Sequence, residues 1–151
     1  MKIVVQRVSK ASVSVNHRLV SQINHGFLLF VGVQKEDTLQ DVLWCVNKVS
    51  GLRIFEDDQG KMNLNLSQVD GEILSVSQFT LAASVVKGNR PSFTDSEEPA
   101  RANELYELFN EELRKRGHSV VTGVFQEMME VSLINDGPVT ILIESRKRNG
   151  N

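Results

Sequence analysis

The fold is decided by one continuous apolar stretch, Phe27-Leu28-Leu29-Phe30-Val31-Gly32-Val33, which follows the turn residues Asn24-His25-Gly26. An apolar run of this length beside a turn signal is typical of a strand that is buried on both faces of a sheet. Before it, residues 2–15 place apolar side chains at alternate positions and predict a long strand, and residues 19–23 predict a return strand. The first third of the chain is therefore expected to form a sheet.

After this stretch, the spacing of the apolar residues becomes helical in two places. Residues 39–49 predict a helix with Asp37 or Thr38 as its N-cap and Gly51 as its stop. A second helix is predicted to begin near Pro99 and to end at Gly117. The other apolar segments predict strands over residues 52–55, 72–79, 120–122, 128–134 and 139–143, with a loop over 63–70 and an irregular segment over 87–96.

About eight strands and two helices, joined by hairpin-like connections, indicate an α+β fold. We expect a single domain over residues 1–151, built from a largely antiparallel sheet, or from barrel-like sheets, with two main helices.

Composition excludes several classes of protein. The 151 residues are 40% hydrophobic and 24% charged, with a net charge of −2, which is ordinary for a globular protein and unlike a disordered chain. Such a charge does not suit a protein that coats nucleic acid non-specifically. The single cysteine, Cys45, forms no internal disulfide and no metal motif, and no apolar run approaches the roughly 20 residues of a membrane span. We therefore expect a cytoplasmic protein without metal, cofactor or membrane anchor.

Three polar segments interrupt or end the apolar strands: Ser77-Gln78-Phe79-Thr80-Leu81, Lys87-Gly88-Asn89-Arg90-Pro91-Ser92-Phe93 and Asn135-Asp136-Gly137-Pro138-Val139-Thr140. Singly, they admit ordinary interpretations as a polar strand end, a solvated loop and a turn. The familiar catalytic signatures are absent from the sequence, including a Walker loop, HExxH and GxSxG. The three histidines fall at predicted turns or at a helix end, where solvated side chains are the usual finding.

Taken together and in this order, the three segments resemble the D-aminoacyl-tRNA deacylases, the D-tyrosyl-tRNA deacylase family. The resemblance runs from Met1-Lys2-Ile3-Val4-Val5-Gln6-Arg7-Val8 to the final strand, and Leu105-Tyr106 with Phe109 add to it. It implies hydrolysis of the ester bond of D-aminoacyl-tRNA, and of glycine mischarged on alanine tRNA, with release of the free amino acid and tRNA. It also implies a homodimer whose nucleic-acid partner is the tRNA acceptor end.

The resemblance further implies a role for each motif. Ser77, Gln78, Phe79 and Thr80 correspond to the catalytic pocket for the aminoacyl group and the terminal adenosine. Gly137 and Pro138 correspond to a cis peptide that enters the partner subunit's pocket and rejects L-aminoacyl groups. Arg7 corresponds to the residue that holds this motif, a task suited to the five donors of a guanidinium.

The adenosine subsite carries a departure from the family pattern. Phe125 and Met129 correspond to the family's adenosine-pocket residues, and an aromatic face and a thioether suit a base. After Phe125 the family usually has Gly-Ala, whereas this chain has Gln126-Glu127, which we expect to change the shape and affinity of this subsite. Lys87, Arg90 and the run Arg114-Lys115-Arg116 are candidate phosphate contacts, although the run also complements the dipole at its helix end.

Two questions stay open at the level of sequence. Thr80 could act as a nucleophile, but threonine needs an adjacent base; the family's other account uses the substrate's 2′-hydroxyl and the backbone amides of Phe79 and Thr80, and we favour it. A non-catalytic dimer that binds adenine nucleotides or RNA ends would explain Gln126-Glu127 as a loss of activity. A purely structural interaction domain would leave the pairing of Ser77–Thr80 with Gly137–Pro138 unexplained.

Overall fold

The computed structural model describes residues 1–150, which form two helices and eight strands. The strands are β1 (Lys2–Val15), β2 (Arg18–Ile23), β3 (Gly26–Gly32), β4 (Phe55–Glu56), β5 (Met62–Leu64), β6 (Glu72–Ser77), β7 (Val120–Thr122) and β8 (Glu130–Glu144). The helices are α1 (Leu39–Gly51) and α2 (Pro99–Lys115).

The sheet is built around β1. This strand pairs with β3 and then β2 along one edge and with β8 along the other, in each case antiparallel. The order continues from β3 to β6 and β7, and these last two pairings are parallel. At the far ends of the sheet, the Ser21 hydroxyl donates to the Thr122 carbonyl at 2.8 Å, so the sheet is almost closed into a barrel. The predicted α+β class with a largely antiparallel, barrel-like sheet is confirmed.

The core lies on both faces of β3, as the continuous apolar run predicted. Phe27, Leu29 and Val31 pack on the face that α1 and α2 cover, and Leu28 packs into a second cluster on the other face. Cys45 is fully buried in the first cluster, and burial raises the pKa of its thiol to about 12. This cysteine therefore behaves as a small apolar side chain, in agreement with its position on the apolar face of α1.

Both helix starts follow local signals. Thr38 is the N-cap of α1, and the Asp41 carboxylate accepts hydrogen bonds from the Thr38 amide and hydroxyl at 2.9 and 2.8 Å. Pro99 is the first residue of α2, and Gly117, with a φ of +89°, follows its end. Asp37 has a different task, since its buried carboxylate accepts a 2.6 Å hydrogen bond from the amino group of Met1. Neither helix is long and apolar enough to span a membrane.

Several predicted boundaries were wrong. Of the strand predicted over residues 52–55, only Phe55 is extended and paired, in β4, and the loop predicted over residues 63–70 contains part of β5. The strand predicted over residues 72–79 ends at Ser77, because Phe79–Ala82 turns into a short 3-10 helix. These errors share a cause: short strands depend on a partner elsewhere in the chain, which local periodicity does not reveal.

The two strands predicted over residues 128–134 and 139–143 are one strand, β8. Val8 pairs with Asn135 and Gln6 pairs with Thr140, so that four residues of β8 lie opposite Arg7 alone. The Asn135–Thr140 segment therefore protrudes from a continuous strand rather than reversing the chain.

Candidate active site

The first predicted motif lies where the parallel strands end. The carboxyl ends of β3, β6 and β7 share one edge of the sheet, because Val31 pairs with Ser77 and Ser75 pairs with Thr122. Ligands of α/β sheets bind outside this kind of edge, in the loops that leave it. The loop that follows β6 begins with Gln78, whose amide donates to the Val31 carbonyl at 2.8 Å.

The short helix Phe79–Ala82 begins with two backbone amides that have no hydrogen-bond partner within residues 1–150. Its first hydrogen bond runs from the Leu81 amide to the Gln78 carbonyl at 3.3 Å. The amides of Phe79 and Thr80 precede that bond and are therefore not needed by the turn itself. Phe79 is 56% exposed, and Thr80 is also exposed. Two amide donors consequently stand beside an aromatic ring at an open edge of the sheet.

The glycine at the end of β3 allows this turn to pack closely. A Cβ atom at Gly32 would lie 2.8 Å from the Leu81 Cβ and 3.0 Å from the Gln78 carbonyl oxygen. Both distances are shorter than ordinary van der Waals contacts, so a larger residue at position 32 would displace the turn that carries Phe79 and Thr80.

The Thr80 hydroxyl has no base beside it within the part of the chain that the structure describes. Its side-chain hydrogen bond comes from the Gln78 amide group, which donates to Oγ1. The three histidines have other partners: His25 contacts the Val69 carbonyl at 2.8 Å, His118 contacts the Ser50 hydroxyl at 3.0 Å, and His17 lies 3.6 Å from Glu130. Nor do residues 1–150 contain a group of three or more His, Cys, Asp or Glu side chains that could hold a metal ion.

The second motif, Lys87–Phe93, lies in a loop that folds back on the first. Ser84 and Ser92 exchange backbone hydrogen bonds of 2.8 and 2.9 Å, which leaves Lys87 and Arg90 exposed at the tip. The Phe93 ring lies against the Phe79 ring, with 5.1 Å between the centroids. The structure thus brings the first two motifs together. Lys87 and Arg90 belong to the second motif, but both are exposed to solvent.

The third motif is held at its base by Arg7. This residue is 6% exposed; its Nε donates to the Asp136 carbonyl at 2.9 Å, and its Nη1 donates to the Ile54 carbonyl at 2.6 Å. Asn135 also stabilises the base of this motif, because its Oδ1 accepts a hydrogen bond from the Val139 amide at 2.9 Å. The Gly137–Pro138 peptide bond, which is cis, lies at the exposed top of the protrusion.

Gly137 cannot easily be replaced by a larger residue. Its φ is +142°, and an added Cβ would lie 2.6 Å from the Val139 side chain and 3.3 Å from the Arg7 guanidinium. The close approach of backbone and arginine therefore depends on glycine.

Within one chain, the third motif lies far from the first. Arg7 pairs with Phe27 at the start of β3, whereas Ser77 pairs with Val31 near its end. Four residues of strand separate these positions, which corresponds to about 13 Å along the sheet.

Phe125 and Met129 lie in the segment between β7 and β8 but pack in different places. The Phe125 ring lies against Tyr106, with 6.1 Å between the centroids, and joins the helix-covered cluster. Met129 packs against the second cluster. Between them, Gln126 adopts a φ of +66° and is exposed, as is Glu127.

A cleft of about 270 Å³ opens between α2 and this segment, lined in part by Phe125, Gly123 and Asn110. The buried Asn110 Oδ1 has no hydrogen-bond partner in the described residues, and Tyr106 donates to the Ser75 carbonyl at 2.7 Å. A larger cleft of about 310 Å³, between Trp44 of α1 and Leu142 of β8, contains none of the predicted site residues.

Ser96 was missed by the sequence analysis. Its hydroxyl donates to the Phe79 carbonyl at 3.2 Å, across 17 positions of sequence. Nothing in the local pattern marks this serine, because the contact depends on how the loop folds back on β3.

Two solved structures share the fold of this chain. A solved structure described as a probable eukaryotic D-amino acid tRNA deacylase has this fold, with a TM-score of 0.81 at 17% identity over 94% of this chain and 97% of the other. A second, described as c-Myc DNA unwinding element binding protein, has a TM-score of 0.90 and is 42% identical over 95% of this chain and 98% of the other.

The family follows from sequence. The family model for D-Tyr-tRNA(Tyr) deacylase matches residues 4–144, and the D-aminoacyl-tRNA deacylase of Exiguobacterium sibiricum is 54% identical over 95% of this chain and 99% of its own length. The chain belongs to the D-Tyr-tRNA(Tyr) deacylase family.

Proposed function

We propose that this protein hydrolyses the ester bond that joins a D-amino acid to the terminal ribose of tRNA, as a cytoplasmic, single-domain homodimer. Membership of a deacylase family makes it a hydrolase whose substrate is an aminoacylated tRNA. The observation that carries the mechanism is the exposed turn at Phe79–Thr80, which offers two backbone amides at the carboxyl ends of parallel strands.

These amides suit the chemistry of ester hydrolysis. When water attacks the ester carbonyl, negative charge develops on the carbonyl oxygen, and fixed N–H donors stabilise that charge. The bond from the carbonyl carbon to the ribose oxygen then breaks, the ribose oxygen takes up a proton, and the free amino acid and tRNA leave. An aminoacyl ester is already activated, so that positioning and charge stabilisation supply much of the acceleration.

A nucleophilic role for Thr80 is disfavoured by its surroundings. An attacking hydroxyl must lose its proton to a base, but Thr80 Oγ1 accepts a hydrogen bond from the Gln78 amide group, which is not a base. The neighbouring 2′-hydroxyl of the substrate is instead proposed to assist the attack of water, with Ser77 and Gln78 lining the pocket.

The separation of the motifs within one chain supports a pocket completed by a second copy. Arg7 and Ser77 lie toward opposite ends of β3, so that the Gly137–Pro138 protrusion of one subunit is free to enter the Phe79–Thr80 pocket of its partner. The base of the protrusion is held by Arg7 and Asn135 while its top is exposed, which suits an element that docks elsewhere.

This arrangement explains discrimination by chirality. D- and L-aminoacyl groups differ in which side of the α-carbon bears the side chain, and a backbone barrier on the L side excludes every L-residue whatever its chemistry. Gly137 and Pro138 are proposed to form that barrier. Glycine has no side chain that would meet the barrier, so the ester bond of glycine attached to the wrong tRNA is proposed to be hydrolysed as well.

The acceptor end is proposed to be bound by weaker contacts around the pocket. Phe125 offers a ring for the terminal adenine, and Met129 a thioether, although the two pack against different clusters. Lys87 and Arg90, which are exposed at the tip of their loop, are proposed to contact phosphates. Gln126 and Glu127, both exposed next to Phe125, change the polarity of that approach.

A second candidate function is binding of nucleic acid without hydrolysis. It is favoured by the solved structure at 42% identity, whose name describes a DNA-binding protein. The net charge of −2 argues against a large phosphate-contacting surface.

Release of D-tyrosine from D-tyrosyl-tRNA separates the two functions. With enzyme at catalytic amounts, multiple turnovers of release are expected, at a rate far above that of the uncatalysed ester. If the protein binds the charged tRNA and yet leaves the ester intact, the hydrolase proposal is wrong and the binding function stands.

A further inference from the structure

The Ser96 hydroxyl contacts the peptide group that carries one of the proposed oxyanion donors. Ser96 Oγ donates to the Phe79 carbonyl oxygen at 3.2 Å. That carbonyl and the Thr80 amide belong to the same peptide unit. Because a peptide unit is planar and rigid, a contact that holds its oxygen also fixes the direction of its N–H.

We propose that Ser96 is a positioning residue for hydrolysis, which acts through the Phe79–Thr80 peptide and directs the Thr80 amide toward the developing oxyanion. The inference rests on the proposed function, since it assumes that this amide contacts the reacting ester. Ser96 lies outside the three polar motifs.

The contact from Ser96 adds to the packing of Phe93 on Phe79 and of the turn against Gly32. Phe79 is 56% exposed, and the turn is only four residues long. A carbonyl oxygen has two lone pairs, so that the contact from Ser96 can be made in addition to a bond within the turn. A hydrogen bond to the carbonyl also polarises the peptide and makes its N–H a stronger donor.

Ser96 is itself placed by the loop that follows β3 rather than by the exposed loop tip. The Lys35 amide donates to the Asp95 carbonyl at 3.0 Å, and the Glu97 amide donates to the Val33 carbonyl at 3.2 Å. The Asp95 carboxylate accepts further hydrogen bonds from Gln34 and, at 3.2 Å, from Arg146. A hydroxyl on such a fixed segment can orient a neighbouring peptide reproducibly.

Single-turnover hydrolysis of D-tyrosyl-tRNA by four proteins tests the proposal. Ser96→Ala is expected to slow the chemical step about two- to tenfold, the value of one neutral hydrogen bond, with the half-saturating enzyme concentration changed by less than about twofold. Ser96→Thr keeps the hydroxyl and is expected to keep the wild-type rate. Thr94→Ala removes an exposed hydroxyl two residues away, whose contact is with Ser92 at 3.4 Å, and serves as the matched control.

Nuclear magnetic resonance gives a second readout that does not depend on activity. The ¹⁵N shift of the Thr80 amide is expected to move in Ser96→Ala and to stay in place in Thr94→Ala, because only the first variant loses a hydrogen bond to the adjoining carbonyl. A folded Ser96→Ala protein with an unmoved Thr80 resonance would overturn the proposal.

The kinetic outcomes separate this inference from the function on which it rests. A wild-type protein that releases no D-tyrosine contradicts the proposed function. An active wild type together with an equally fast Ser96→Ala variant contradicts only the positioning role. An equal loss in Ser96→Ala and Ser96→Thr also contradicts it, because the hydroxyl would then not be the group responsible.

Discussion

Thr80 offers two groups to a substrate, a backbone amide and a side-chain hydroxyl, and the structure distinguishes between them. The amide precedes the first hydrogen bond of its turn, whereas the hydroxyl accepts a hydrogen bond from Gln78. An acceptor without a neighbouring base is a poor nucleophile, and an unused amide is a good oxyanion donor. We therefore expect the backbone amide of Thr80, and not its hydroxyl, to take part in the chemistry.

Replacing Thr80 by alanine keeps the backbone amide and removes the hydroxyl. We expect Thr80→Ala to retain hydrolysis within about tenfold of the wild-type rate in single-turnover assays with D-tyrosyl-tRNA. Binding of the charged tRNA, measured in parallel, serves as the control. A loss on the order of 10⁴-fold with binding intact would instead make the hydroxyl the nucleophile.

At the scale of an element, the start of α1 combines a cap with an ion pair. Burial alone would raise the pKa of Asp41, but hydrogen bonds from the Thr38 amide and hydroxyl outweigh it and lower this pKa to about 2. The carboxylate also contacts Arg148 at 2.7 Å. The folded protein therefore stabilises the charged form of Asp41.

The lowered pKa has a definite sign for stability. Because the unfolded chain binds the proton more readily, with a pKa of 3.8, the contribution of Asp41 is complete above about pH 5 and is lost as the pH falls toward 2; its size is about 2 kcal/mol. Urea unfolding should show Asp41→Ala less stable than wild type at pH 6, with a gap that narrows below pH 4.

The matched control for this experiment is Gln40→Ala, which changes an exposed neighbour in the same turn of α1. Its stability relative to wild type should not vary between pH 6 and pH 3. A gap between wild type and Asp41→Ala that stays constant over that range would show that the carboxylate is not titrating with the lowered pKa.

Elements could be predicted from sequence where their signals are local. The start of α1 follows from its capping residues, the start of α2 from Pro99 and its end from the glycine after it, and β3 follows from its own apolar run. The continuity of β8 could not be predicted, because its two halves form one strand only through their shared pairing with β1. For the same reason, the contact between Arg7 and Asp136 was suggested by family resemblance alone, across 129 positions, and the contact of Ser96 with Phe79 was not foreseen.

At the scale of the whole molecule, the surface carries apolar side chains that a second copy could cover. On β8, Ile134 is 60% exposed and Leu142 is 55% exposed, and Met128 just before the strand is 90% exposed. Within residues 1–150, β8 pairs with β1 alone, so that its other edge is open. Open strand edges with apolar side chains are usually covered in a stable assembly.

The proposed dimer can be tested by sedimentation together with activity. We expect a species of twice the chain mass of 16.9 kDa, held by an interface of about 1,200–2,000 Å². Specific activity should fall on dilution in parallel with the dimer fraction, since a pocket completed by the partner cannot form in a monomer. An active monomer at the assay concentration would be incompatible with a shared pocket.

Discrimination between D- and L-aminoacyl groups is the central property of the proposed pocket, and one comparison of substrates tests it most directly. D-tyrosyl-, L-tyrosyl- and glycyl-tRNA are incubated with the same preparation, and the rate of ester hydrolysis is measured for each. We expect rapid hydrolysis of the D-tyrosyl and glycyl esters and a rate for the L-tyrosyl ester near that without enzyme. Hydrolysis of the L-tyrosyl ester at a rate comparable to the D-tyrosyl ester would contradict this expectation.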